Sequence, residues 1–179
     1  MRITSGILKN RKLKSFNVDI RPTKESVREA VFSSIGGTCN NLHILDLFAG
    51  YGSFGLEAWS RGASSVTFVE NQKILVNQLS KFIKDFEDKR LGVTQVIYAD
   101  VCLWLQKNTC SYDLIFADPP YRLEGAFIST LTAIDKNSSL SENGCVIFEL
   151  SYRENIELPE MWKIIKEKRY GKTKILMLK

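Results

Sequence analysis

Leu42-His43-Ile44-Leu45-Asp46-Leu47-Phe48-Ala49-Gly50-Tyr51-Gly52-Ser53-Phe54-Gly55 is the stretch whose reading decides the fold. Residues 42–48 form an apolar run broken by one acid, the pattern of a strand buried on both faces. Gly50-x-Gly52-x-x-Gly55 follows and runs into Leu56-Glu57-Ala58-Trp59-Ser60-Arg61, a helix that Gly62 stops. Strand, glycine loop and helix in that order present backbone to a nucleotide-like ligand in open α/β sheets. His43, the only histidine, stands at the start of the strand, away from that loop, and is read as structural.

Working outward toward the C-terminus, residues 65–70 read as a second strand ending in Glu70, with Asn71 beside it. Glu70 lies twenty residues past Gly50, where an acid accepts both hydroxyls of a ribose. Residues 72–87 carry an apolar stripe of Leu75, Leu79, Phe82, Ile83 and Phe86, the spacing of an amphipathic helix. A third strand over 94–99 ends at Asp100, and a short helix spans 101–106. Strands are expected at 112–117 and 145–150, with a helix near 124–135 between them. An antiparallel pair, 164–168 and 172–178, closes the chain. Alternating strands and helices predict an α/β fold with a mostly parallel sheet.

Toward the N-terminus, residues 2–8 and 12–16 are expected as two short strands of a basic β-hairpin around Lys9-Asn10-Arg11. Ile20-Arg21-Pro22-Thr23 is an extended connector, with Thr23 as the N-cap of a helix whose buried face is Val27, Ala30, Val31 and Ile35. The formal charge of +5 is uneven, because residues 1–28 hold eight Lys/Arg against Asp19 and Glu25. Arg2, Lys9, Arg11, Lys12, Lys14, Arg21, Lys24 and Arg28 therefore point to a polyanionic partner. The chain of 179 residues is 44% hydrophobic and 25% charged, ordinary for a globular protein. No apolar run approaches the ~20 residues of a membrane span, and the first residues lack the apolar core of a signal peptide. Cys39, Cys102, Cys110 and Cys145 are widely spaced, so neither a zinc site nor a disulfide framework is expected; each is read as a small buried hydrophobe of a cytoplasmic protein.

The chemistry collects at Asp118-Pro119-Pro120-Tyr121. It follows the apolar run 113–117, so it sits where a buried strand leaves the sheet. The prolines donate no N–H and keep the chain extended, which leaves carbonyl acceptors free beside the Asp118 carboxylate and the Tyr121 ring. Acceptors next to a stacking platform suit a planar group that carries an amine. The glycine loop and Glu70 would serve either NAD or S-adenosylmethionine (SAM). Two features favour SAM: the acid Asp46 inside the strand, suited to an aminocarboxylate or ribose rather than a pyrophosphate, and the acceptors at Asp118, which hydride transfer has no use for.

Through these motifs the chain resembles the RsmD family of bacterial 16S rRNA guanine-N2 methyltransferases. The segments that carry the resemblance are Arg2-Ile3 with Gly6, Arg11-Lys12-Leu13, Arg21-Pro22-Thr23, Val27-Arg28-Glu29-Ala30 with Phe32, Asp46-Leu47-Phe48-Ala49-Gly50, Gly55-Leu56-Glu57-Ala58, Ser60-Arg61-Gly62 and Asp118-Pro119-Pro120-Tyr121. Tyr51, Asn10 and Gln72 depart from the family's usual residues. The resemblance implies a Rossmann-like, seven-stranded SAM-dependent methyltransferase fold with strand order 3-2-1-4-5-7-6 over residues 23–179, behind a basic extension over 1–22. It implies that Phe48, Gly50, Gly52, Glu70, Asp100 and Val101, together with Asp46, Gly55 and Asn71, line the cofactor site. The catalytic residues would be Asp118, Pro119, Pro120 and Tyr121, with no metal. The eight N-terminal cations would hold RNA of the small ribosomal subunit, and the product cofactor would be S-adenosylhomocysteine. A monomer is expected. Methylation of adenine N6 in DNA uses the same Asp-Pro-Pro-Tyr chemistry, but little chain is left for a sequence-reading domain. A NAD-dependent oxidoreductase would leave Asp118 to Tyr121 idle, and a non-catalytic RNA-binding module would tolerate Asp118→Ala.

Overall fold

The first core strand, β1 (His43–Leu47), lies in the middle of the sheet with its residues alternating between two cores. Ile44 points into one core and Leu45 and Leu47 into the other, which is why the run reads as continuously apolar. The structure is a computed structural model and describes residues 1–13, 23–86, 88–120, 125–154 and 156–179.

The described elements follow in the order α1 (Glu25–Ser34), β1, α2 (Ser53–Ser60), β2 (Ser65–Glu70), α3 (Lys73–Asp85), β3 (Val93–Tyr98), α4 (Val101–Leu105), β4 (Tyr112–Ala117), α5 (Ala126–Lys136), β5 (Leu140–Ser151), β6 (Ile164–Tyr170) and β7 (Thr173–Leu178). They form one sheet in the order β3-β2-β1-β4-β5-β7-β6. Strands β1 to β5 run parallel, and β7 pairs antiparallel with both β5 and β6. This is a Rossmann-like sheet in the strand order that the resemblance implied. The order steps outward from β1 in both directions, so the crevice beyond the carboxyl ends of β1 and β4 is the expected ligand edge.

Helices α1, α2 and α3 cover one face, where Phe54 stacks on Phe116 with centroids 4.7 Å apart. Helices α4 and α5 cover the other, where Phe127 meets Phe148 edge-on at 4.7 Å. The segment before α1 belongs to the first of these cores, since Ile3, Leu8 and Leu13 are all buried in it.

Several local expectations are corrected. Residues 2–8 are not a strand: only Arg2 and Lys12 form a β-bridge, and residues 5–10 are a compact bend and turn. The reason is Glu57, which draws the Thr4 and Ser5 amides to itself and so removes them from any ladder. The second expected strand falls partly outside the described residues. Thr23 does not cap α1; the N-cap is Lys24, and the Thr23 hydroxyl goes elsewhere. β5 begins at Leu140, five residues early, because its pairing with β4 jumps from Tyr112↔Leu140 to Leu114↔Cys145 and leaves Asn143-Gly144 in a bulge. Cys110 is exposed rather than buried. Among the described residues no helix is long and apolar enough to cross a membrane, and no cluster of three metal-ligating side chains occurs.

Candidate active site

β1 ends because Phe48 turns into the left-handed region, φ 55°, and Gly50 and Gly52 follow it there at 56° and 70°. A phenylalanine with positive φ is strained and persists only where its surroundings hold it. Here two buried acids hold the loop. The Asp46 carboxylate accepts the Gly55 N–H at 2.8 Å, and the Glu70 carboxylate accepts the N–H of Gly50 at 2.8 Å and of Gln72 at 2.8 Å. Gly55 is required by space, because a Cβ there would lie 2.2 Å from the Phe68 ring and 2.9 Å from Asp46.

These bonds decide which kind of ligand the loop suits. In dinucleotide folds the amides of the glycine loop and the helix N-terminus are free to receive a pyrophosphate. Here Gly50 gives its N–H to Glu70, Gly52 to the Ala49 carbonyl and Gly55 to Asp46. The Gly55 amide in the first turn of α2 is already taken by Asp46, so a phosphate would find a carboxyl oxygen there rather than a free donor. A cationic ligand finds acids instead. Burial, with Glu70 nearby, pushes the Asp46 carboxyl up to about 8. Burial disfavours the charged form of this acid, and a positive charge beside it would favour that form.

Glu70 is 5% exposed and Val101 is 3% exposed, at the ends of β2 and just beyond β3. Asp100 caps α4 by accepting the Leu103 N–H at 3.0 Å and remains exposed, and Asn71 is exposed beside Glu70. The sheet thus brings Asp46, Phe48, Gly50, Gly52, Gly55, Glu70, Asn71, Asp100 and Val101 to one edge.

Asp118 leaves β4 next along the same edge, followed by buried Pro119 and exposed Pro120; Tyr121 lies outside the described residues. Burial raises the Asp118 carboxyl well above the usual range, and the carboxylates of Glu149 and Asp46 push in the same direction. Glu149 was missed in the sequence. Ala117 of β4 pairs with Phe148 of β5, so Glu149 stands level with Asp118. It is 7% exposed and accepts the Thr23 hydroxyl at 2.7 Å. Burial raises its carboxyl too, against the lowering effect of bonds from Thr23 and Thr173. The signal was available: Glu149 is a lone acid in the apolar run 145–150, as Asp46 is in 42–48.

The N-terminal cations separate. Arg28 is corrected as an RNA contact, because it is 1% exposed and its guanidinium donates to the carbonyls of Thr23 and Arg2 beside Glu57. Arg2 is paired with Glu25 at 2.8 Å. Lys9 and Arg11 are exposed, but their loop is bonded to Ser60 at the end of α2, and Arg11 lies over Phe86 at the end of α3. Those helices run back from the ligand edge, so this tip stands at the opposite edge. Lys12 and Lys24 are exposed; Lys14 and Arg21 lie outside the described residues.

A Rossmann-like sheet of this order, with inward-turned loop amides and acids along its carboxyl edge, defines a methyltransferase. The family model described as "Conserved hypothetical protein 95" matches residues 1–179. Two curated relatives named "Ribosomal RNA small subunit methyltransferase D", both from Buchnera aphidicola, are similar. One, from subspecies Acyrthosiphon pisum, is 33% identical over 93% of this chain and 86% of its own. The other, from subspecies Baizongia pistaciae, is 35% identical over 96% and 88%. The solved structure of yhhF from Escherichia coli superposes with a TM-score of 0.87 at 25% identity, covering 99% of this chain and 96% of its own. The chain belongs to this family, the RsmD family of methyltransferases. Fold and family imply use of SAM, and the inward-turned amides and the ionisable Asp46 fit a cofactor that carries a sulfonium and an ammonium rather than a diphosphate.

Proposed function

We propose that this methyltransferase modifies the exocyclic N2 amine of a guanine in 16S rRNA of the small ribosomal subunit, releasing S-adenosylhomocysteine. The observation that carries the chemistry is the placement of Asp118 and Pro119 at the end of β4, level with Glu149 and with Phe48 at the start of the glycine loop. The names of the relatives support the RNA assignment.

SAM supplies an electrophilic methyl on a cationic sulfur. The remaining work belongs to the chain. Asp46, Phe48, Gly50, Gly52, Gly55, Glu70, Asn71, Asp100 and Val101 would hold the cofactor. The N2 amine of guanine is conjugated with its ring and is a weak nucleophile. Accepting its two N–H groups on the Asp118 carboxylate and the Pro119 carbonyl, each at about 3 Å, would fix the orientation of the amine and enrich its lone pair for attack. Asp118 also stabilises the positive charge that grows on nitrogen and takes its proton. Tyr121, with Pro120 shaping its approach, stacks on a base that has left its helix. Residues 1–22 form the basic extension on a methyltransferase domain over 23–179, and Arg2, Lys12, Lys14, Arg21 and Lys24 meet RNA backbone, with Lys9 and Arg11 reaching a more distant part of it. The enzyme works as a cytoplasmic monomer.

Labelled SAM offered with unmodified 16S rRNA, with small subunits and with duplex DNA, followed by nucleoside analysis, tests the reading. Label in N2-methylguanosine that disappears in Asp118→Ala is the expected result. Label in N6-methyladenine from DNA would keep the chemistry and overturn the substrate, and absence of SAM binding would overturn both.

A further inference from the structure

Residues 163–174 hold six Lys/Arg against a single acid, Glu167. The net charge outside residues 1–28 hides this run, and the fold gives it a location. Thr173 pairs with both Ser151 and Tyr170, so the turn at Gly171-Lys172 is level with the carboxyl end of β5, just past Glu149. This tip therefore lies on the ligand edge. The glycine loop flanks Asp118 on the β1–β2 side and the tip flanks it on the β5–β7 side.

The cations at the tip make ring and carbonyl contacts but, among the described residues, no ion pair. The Arg169 guanidinium lies 4.0 Å from the centroid of the Tyr152 ring, and that of Arg153 lies 5.4 Å from the same centroid. The Arg169 Nε donates to the Gly171 carbonyl at 2.9 Å and the Arg153 Nε to the Tyr152 hydroxyl at 2.8 Å. Arg153, Arg169 and Lys172 are all exposed. Arg169 also sits directly across from Lys174 in the β6–β7 register, a like-charge pair that destabilises the sheet unless an anion offsets it. Among the described residues, the ion pairs involve Arg2, Arg28, Arg61 and Arg90; none involves Arg153, Arg169, Lys172 or Lys174. A guanidinium stacked on an aromatic ring, with its planar edge free, is pre-organised for a phosphate oxygen.

From this geometry we infer that the β6–β7 tip, with Tyr152 and Arg153, is a second phosphate-binding surface that grips the nucleic-acid backbone flanking the nucleotide entering at Asp118. The inference rests on the RNA reading above and adds to it a contact at the catalytic edge, where the turn bearing Lys9 and Arg11 does not reach.

The test uses the full chain carrying Arg153→Gln, Arg169→Gln and Lys172→Gln together. Binding of a 16S rRNA fragment is followed by anisotropy across a salt series, alongside SAM affinity, thermal melting and methyl transfer. The expected result is unchanged SAM affinity, RNA binding weakened tenfold or more, a raised KM for RNA, and a salt slope reduced by about 2 for three lost phosphate contacts. Lys172→Glu, at an exposed turn position, serves if the triple variant melts early, and a several-fold loss of RNA affinity is expected from it alone. Wild-type RNA affinity and salt slope in a folded variant would overturn the inference while leaving the RNA reading intact. A wild-type enzyme that neither binds nor methylates RNA would overturn both.

Discussion

Thr23 donates its hydroxyl to Glu149 at 2.7 Å, across 126 residues of sequence. The bond ties the segment that leads into α1 to the strand beside Asp118. Arg28 extends the link, because its guanidinium donates to the Thr23 carbonyl at 2.5 Å while lying against Glu57, which holds Thr4 and Ser5. The basic N-terminal segment and the acid next to the site are thus parts of one hydrogen-bonded frame.

Glu149→Gln is expected to move the pH dependence of methyl transfer. Asp118 offsets the charge growing on nitrogen and takes its proton only when ionised, and its carboxyl is held high by burial first and by Glu149 and Asp46 next. Removing the Glu149 charge lowers the pH at which Asp118 ionises, so the rising limb of kcat against pH shifts to lower pH. Desolvation remains, so the shift is partial. A profile from pH 5 to 9 checks this, and an unmoved limb would count against coupling of the two acids.

Asp46→Asn should change stability in a pH-dependent way. The folded-state carboxyl is raised to about 8, whereas the unfolded value is near 3.8. Between those values the folded protein holds a proton that the unfolded chain has lost, so this group's contribution is full at low pH and disappears as pH rises through about 8. Asparagine keeps an oxygen for the Gly55 N–H and removes the titration. The variant should melt close to wild type at pH 4 and several degrees above it at pH 8.5, with about 2–4 °C per kcal/mol at this chain length. Melting curves at the two pH values decide it.

Gly55→Ala should cost stability and cofactor binding together. Its Cβ would fall 2.2 Å from Phe68, a buried ring that cannot retreat, and 2.9 Å from the Asp46 carboxylate. Overpacking of this kind costs about 1–3 kcal/mol. The unfolding free energy from urea titration should fall by that amount and SAM affinity should fall with it, because the loop held by Asp46 must open.

Glu57→Ala should loosen the N-terminal segment. Glu57 is 1% exposed and accepts from the Thr4 and Ser5 amides, the Thr4 hydroxyl and Arg61, with Arg28 at 3.6 Å. Removing it leaves the buried Arg28 and the partly buried Arg61 without their carboxylate, a change worth about 3–5 kcal/mol. Limited proteolysis near Arg11 should accelerate more than cleavage elsewhere. Equal acceleration throughout the chain would mean that the loss is global.

The sequence by itself determined the architecture of the core and the edge that carries the site. Residues 65–70 and 112–117 were bounded as strands by apolar runs alone, and Gly50, Glu70, Asp100 and Asp118 were assigned to one edge because each follows a strand in a parallel sheet. Periodicity and turn chemistry are local, so they survive in a one-dimensional reading. Only the tertiary structure decided which charges are consumed and which are free. Arg28 and Arg169 are both cations in basic runs, yet one is buried between two carbonyls and Glu57 while the other is stacked and exposed. Asp46 and Glu149 are both acids in apolar strands, and their partners, Gly55 and Thr23, lie 9 and 126 residues away. A charge in a sequence shows that a partner is needed in the interior; which partner meets it depends on packing between distant segments, and that is settled only when the chain has folded.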